Sequence, residues 1–69
     1  MAKTSEGRVG KRVRITGGVG EFVGKTGVIE WFDRSSSTYR VCLDEPVFVS
    51  GVGMVRARFL AGKYLRNVR

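Results

Sequence analysis

Apolar residues alternate with polar ones along much of this chain, at the two-residue period of a strand with one buried face. In Lys11-Arg12-Val13-Arg14-Ile15-Thr16 the pattern points Val13 and Ile15 inward and Arg12 and Arg14 outward. The following Gly17-Gly18-Val19-Gly20-Glu21-Phe22-Val23-Gly24 reads as a long loop whose glycines permit tight bends. Val28 to Phe32 is β-branched and aromatic, the composition of a second strand. Asp33-Arg34-Ser35-Ser36-Ser37 is a turn. From Thr38 to Leu43 the alternation returns, with Tyr39, Val41 and Leu43 on one face and Arg40 and Cys42 on the other. Pro46 is expected to close that strand, because proline cannot donate to a ladder. Gly53 to Phe59 predicts a fourth strand, Val55, Ala57 and Phe59 opposed to Arg56 and Arg58. Leu60 to Tyr64 suits a single 3₁₀ turn, and Leu65 to Val68 a short closing strand.

No stretch has helical periodicity over 11 residues, and neither a repeat nor a second domain is visible. The expected fold is therefore all-β: a five-stranded barrel over residues 11–69, with a long glycine-rich first loop and a 3₁₀ turn before the last strand. Residues 1–10 read as a flexible basic tail.

Charge changes the picture. The net charge is +7, and it is segregated. Residues 1–14 carry Lys3, Arg8, Lys11, Arg12 and Arg14 against Glu6, and residues 56–69 carry Arg56, Arg58, Lys63, Arg66 and Arg69 with no acid. The middle is slightly acidic. If the first and last strands pair, the two basic ends meet and form a surface for phosphate backbones, where each neutralised phosphate releases counterions. The competing reading is a solvated surface that keeps a small domain soluble.

The chemistry available is narrow. Cys42 is the only cysteine and there is no histidine, so neither an intrachain disulfide nor a zinc site is expected, and a reducing, cytoplasmic setting fits. No cofactor, metal or membrane span is expected. With the acids scattered through the middle, a general acid–base pair is hard to build, and an enzyme is not the expectation. Gly18 to Thr26 superficially suggests a phosphate-binding loop. Yet the position five before Gly24 is Val19, and Gly27-Val28-Ile29 continues as strand where such a loop must open a helix.

Two arrangements then resemble known families. Val13-Arg14-Ile15-Thr16-Gly17-Gly18 followed by Gly24-Lys25-Thr26-Gly27-Val28-Ile29-Glu30 resembles the KOW motif of transcription elongation factors and certain ribosomal proteins, with Gly27 at the motif's key glycine. The resemblance covers roughly residues 11–43 and implies an SH3-like barrel. Val28 to Phe32, Tyr39-Arg40-Val41 and Leu65 to Val68 also resemble the plasmid-borne type II dihydrofolate reductases, tetramers with a central pore of the same fold. Their pore segment, Val-Gln-Ile-Tyr, has as its nearest match Val55-Arg56-Ala57-Arg58, where the valine alone agrees, so the glutamine and tyrosine roles do not carry over; an oligomeric pore enzyme of that kind is the remote third reading of the chain. A fainter similarity runs to a small stromal subunit of photosystem I and concerns architecture only.

The expected function is non-specific binding of RNA or DNA through a basic face containing Arg12, Arg14, Lys25, Arg56, Arg58, Lys63 and Arg66. Trp31, if exposed, would stack on a base, although packing beneath the first loop is the expected placement. Lys25 either contacts a phosphate or is simply solvated. A second reading is a protein-interaction or self-associating module that uses Val47, Phe48, Val49 and Val52, if these project from the barrel rather than pack on it. Cys42 reads as a small half-buried residue rather than a reactive thiol.

Overall fold

β1 (Arg12–Ile15) buries Val13 and Ile15 and exposes Arg12 and Arg14, as its alternation requires. The computed structural model describes residues 8–18 and 20–68. After β1 the chain makes a 3₁₀ turn at Gly20–Phe22 and continues as β2 (Thr26–Asp33), β3 (Thr38–Val49) and β4 (Gly53–Ala61). A second 3₁₀ turn at Gly62–Tyr64 leads into β5 (Leu65–Asn67). The strands form one antiparallel sheet in the order β4-β3-β2-β1-β5. First and last strands pair, with Val13 opposite Asn67, Arg14 opposite Arg66 and Ile15 opposite Leu65. Ladder pairing stops at β4 and β5, which are the sheet's two edges.

The buried side chains form one cluster: Val13, Ile15, Phe22, Ile29, Tyr39, Val41, Leu43, Val47, Leu60 and Leu65. All five strands contribute to it, and Phe22 enters it from the first 3₁₀ turn. Arg58 lies directly across from Val41, so it starts on the core side of β4. Its guanidinium carbon stands 5.6 Å from the Phe22 ring centroid and covers that ring at the sheet edge.

Gly27 sets the spacing of the central strands. It lies between Val13 on β1 and Leu43 on β3. A Cβ there would stand 2.4 Å from the Cys42 carbonyl oxygen and 2.9 Å from Val41 Cγ1. Only a residue without a side chain admits this approach.

Residues 1–7 of the expected tail lie outside the described residues. From Arg8 onward the chain is bound to the sheet. The Gly10 amide donates to the Ile29 carbonyl at 2.7 Å, and the Lys11 amide to that of Arg8 at 3.0 Å. The Arg8 guanidinium donates to the Leu65 carbonyl at 3.0 Å and to Asn67 Oδ1 at 3.2 Å, and it stacks 5.2 Å from the Tyr39 ring. Arg8 therefore ties the N-terminal segment to β5.

One strand detail differs from expectation, and two more are settled only by the register. β3 does not end at Pro46 but runs to Val49. Beyond Leu43 it has left β2, and its register with β4 shifts between Cys42 and Val47. Pro46 sits within that irregular stretch, where no ladder amide is required. Second, the core residue at the end of β4 is Leu60, whereas Phe59 points to the opposite face. Third, Val28 faces outward with Cys42, while Ile29 and Phe32 both turn toward the core. A β-bulge between Ile29 and Trp31 produces this change of side.

Two outcomes are expected. Gly27→Ala must push β2 away from β3, and overpacking of this kind costs about 1–3 kcal/mol in urea unfolding; unchanged stability would show that the strands separate freely. In the β2–β3 turn, Asp33 Oδ1 accepts the Ser35 hydroxyl at 2.7 Å and the Ser35 amide at 3.0 Å, and these bonds hold the Asp33 carboxyl below its ordinary value of 3.8. The unfolded chain therefore takes up this proton at higher pH than the folded one. The stabilisation is present above the unfolded value and is lost as pH falls through the folded value. Acid unfolding of Asp33→Asn should lack this component below about pH 4, which paired acid titrations of the two proteins would measure.

Candidate nucleic-acid interface

Side chains directly opposite one another in paired strands share a face, so the register assigns the outer surface of the sheet. One row is Arg66, Arg14 and Thr26, on β5, β1 and β2. The next is Arg12, Val28, Cys42 and Ala57. In the third, Trp31 stands opposite Arg40, and Arg40 opposite Phe59.

Arg14 and Arg66 are both exposed and stand directly opposite each other. Neither has a carboxylate partner among the described residues. Like charges in that position repel. Arg12 differs: its guanidinium makes a two-pronged pair with Asp44, Nη1 donating to Oδ1 at 3.3 Å and Nη2 to Oδ2. The Thr26 hydroxyl donates to the same Asp44 oxygen. Arg40 Nε donates to Glu30 Oε1 at 2.9 Å.

Trp31 does not pack beneath the first loop. Its side of the bulge faces outward, and it is 56% exposed. Phe22 occupies the space under that loop instead. Phe59, 40% exposed, meets the indole edge-on with centroids 6.2 Å apart and planes at 70°. The Arg40 guanidinium carbon lies 5.9 Å from the Phe59 centroid. Glu30, Arg40, Phe59 and Trp31 thus form one connected surface cluster, one row beyond Arg12 and two rows beyond Arg14 and Arg66.

No family model, curated protein or solved structure matches this chain.

The other basic candidates lie elsewhere. Arg58 is engaged with Phe22, and Arg56 is exposed on β4, the edge strand at the far end of the sheet order from β1 and β5. Lys63 sits in the second 3₁₀ turn, 5.2 Å from the Tyr64 ring centroid. Lys25 lines an open cleft of about 310 Å³ with Gly24, Thr26, Asp44, Glu45 and Pro46. Two carboxylates beside one lysine make that cleft a poor cradle for phosphate. The positive residues are therefore divided between the two sides of the sheet.

The Val47–Val52 segment is divided as well. Val47 is buried and Val49 packs against the core, whereas Phe48 is 66% and Val52 74% exposed. Met54, opposite Phe48, joins them at 62%. This hairpin tip is a second apolar surface, apart from the outer-face cluster. Cys42 is half-buried in the middle of the outer face. Among the described residues no group of His, Cys, Asp and Glu is placed to hold a metal ion, and no buried polar side-chain atom lacks a partner. No helix among them is long and apolar enough to cross a membrane.

The structure adds Arg40, Phe59 and Met54 to the surface residues singled out from the sequence. Regular alternation places Phe59 with Val55 and Ala57 but does not indicate which face is buried. Only the pairing of Arg40 with both Trp31 and Phe59 brings the aromatic cluster together.

Proposed function

We propose that this chain is a small nucleic-acid-binding module, an SH3-like barrel with a KOW-type first hairpin, that holds RNA or DNA with little sequence preference. It acts as a binding module, not an enzyme. Three features support the fold reading: a single core lined by all five strands, pairing of the first strand with the last, and a 3₁₀ turn joining the edge strands. Gly27, at the glycine that the KOW resemblance singles out, is where β2 and β3 approach too closely for any side chain.

The observation that carries the function is the Arg14–Arg66 pair. Arg14 and Arg66 stand opposite each other across β1 and β5, with no carboxylate partner among the described residues, so their like charges cost stability in the isolated domain. A phosphate placed between them removes that repulsion and gains charge-assisted hydrogen bonds. Arg12, on the same face, is held by Asp44 and adds less. Base reading is not supported. Asn67 is the chain's single Asn or Gln, and its Oδ1 already accepts from Arg8.

A second reading rests on the hairpin tip. Phe48, Val52 and Met54 stand exposed together, and burying each large side chain against a second copy contributes about 1.5–3 kcal/mol.

Arg66→Glu separates binding from stability. It places an acid opposite Arg14, so the domain should gain about 0.2–1 kcal/mol. Binding to single strands should weaken, and the salt slope should flatten by about 1.4, two phosphates at about 0.7 each. An unaltered slope would remove the Arg14–Arg66 surface from the binding site. For the second reading, sedimentation should show a monomer–dimer equilibrium that Phe48→Ser weakens without unfolding the domain. A wild-type chain that stays monomeric at about millimolar concentration, where association is worth less than about 4 kcal/mol, would dismiss that reading.

A further inference from the structure

We infer that the ligand of the outer face is a single strand, and that one of its bases stacks on the Trp31 indole; this rests on the nucleic-acid reading above. A duplex keeps its bases stacked on one another and offers a flat protein face only its phosphates. A helix or a two-stranded ribbon enters a major groove, whereas the broad face of a sheet does not. An unstacked base can lie on an exposed aromatic ring.

Trp31 is built to serve as that ring. The bulge turns it outward while Ile29 and Phe32 stay on the core side. Phe59 braces the indole edge-on at 6.2 Å, which leaves more than half of Trp31 uncovered. Arg40, fixed by its 2.9 Å bond to Glu30, backs Phe59. These neighbours hold the indole before any ligand arrives, so little side-chain freedom remains to be lost on stacking.

The arginines lie at the right remove. Arg12 stands opposite Val28, and Trp31 follows two ladder steps farther along β2, so the two backbone positions are roughly 8 Å apart from strand rise and spacing. Arg14 and Arg66 continue in the same direction away from Trp31. A strand running from the β1–β5 edge toward Phe59 therefore meets phosphate-binding arginines first and an aromatic ring next. Charge complementarity selects a polyanion, and the exposed ring selects one with bases free to leave the stack. Glu30, Arg40 and Phe59 are positioning residues in this arrangement.

Trp31 is the only tryptophan, so its fluorescence reports on this contact directly. The test titrates the full chain with an oligothymidylate of about 12 nucleotides and with a duplex of equal length, at about 50 mM salt. The single strand should quench Trp31 and bind more tightly than the duplex. Trp31→Ala should weaken single-strand binding by about 5- to 150-fold, leaving duplex affinity unchanged, and Trp31→Phe should recover part of the loss. Binding that Arg66→Glu weakens but that neither quenches Trp31 nor responds to Trp31→Ala would overturn the stacking inference and leave the basic-face reading standing. Absence of binding to either ligand would overturn both. Trp31 emission that shifts with protein concentration alone would assign the ring to a contact between copies of the chain and overturn the inference.

Discussion

Ile29 and Phe32 both turn toward the core although three positions separate them, and a strand of strict alternation cannot place them so. The extra residue at the bulge resolves the conflict. It allows Ile29 to face Val41, and Phe32 to face Tyr39, within one continuous β2. The same irregularity turns the largest side chain of the strand, Trp31, to the solvent side, where Arg40 and Phe59 receive it. Core register and surface chemistry are thus set by one feature. Restoring plain alternation would either move Phe32 out of the core and Trp31 into it, with Ile29 kept in place, or move Ile29 out, with Phe32 kept in place. Gly27 imposes the companion constraint at the other end of β2, where the strand lies too close to β3 for a side chain.

The arginines around this sheet have unequal roles, although in the sequence they are alike. Arg8 ties the N-terminal segment to β5 and Tyr39. Arg58 covers Phe22, and Arg40 is held between Glu30 and Phe59. Arg12 shares Asp44 with Thr26. Each of these is drawn into the fold by a neighbour. Arg14 and Arg66 have no such partner among the described residues, and they stand opposite one another on β1 and β5. A solubilising surface needs no such juxtaposition, so the proposed anionic ligand rests on this pair rather than on the total charge.

The strands were legible wherever one face is buried and the other charged. Arg12 to Ile15 and Thr38 to Leu43 alternate plainly, so their positions and their inward residues follow from the pattern. The pairing of first and last strands is what the SH3-like barrel resemblance implies, and the register bears it out. Three things were not legible, each for a reason that lies outside the local sequence. A bulge depends on two strands, so nothing within Val28 to Phe32 announces which residue is extra. Pro46 normally marks an end, and only the loss of β2 as a neighbour beyond Leu43 allows β3 to continue past it. The aromatic cluster needs Arg40 as an intermediary between β2 and β4, a relation that exists only once the register is known. Of the basic candidates, the sequence supplied the residues, but the division of Arg14 and Arg66 from Arg56 and Arg58 belongs to the sheet order.

The same sheet order governs how the molecule can meet copies of itself. β4 is an edge strand, and its nine residues would offer a ladder to a second chain. Antiparallel pairing of two such edges about Ala57 would set Arg56 of one copy against Arg58 of the other, and like charges directly opposed disfavour it. β5 is too short to pair extensively, and it carries Arg66. Edge-to-edge growth of the sheet is therefore disfavoured on both sides by the residues that make the chain basic. Contact between copies is left to side-chain surfaces, and Phe48, Val52 and Met54 at the hairpin tip are the least encumbered of these. Because that tip belongs to the β3–β4 end and the Arg14–Arg66 pair to the β1–β5 edge, association through the one does not cover the other, and a dimer so formed would leave the Arg14–Arg66 pair of each copy exposed.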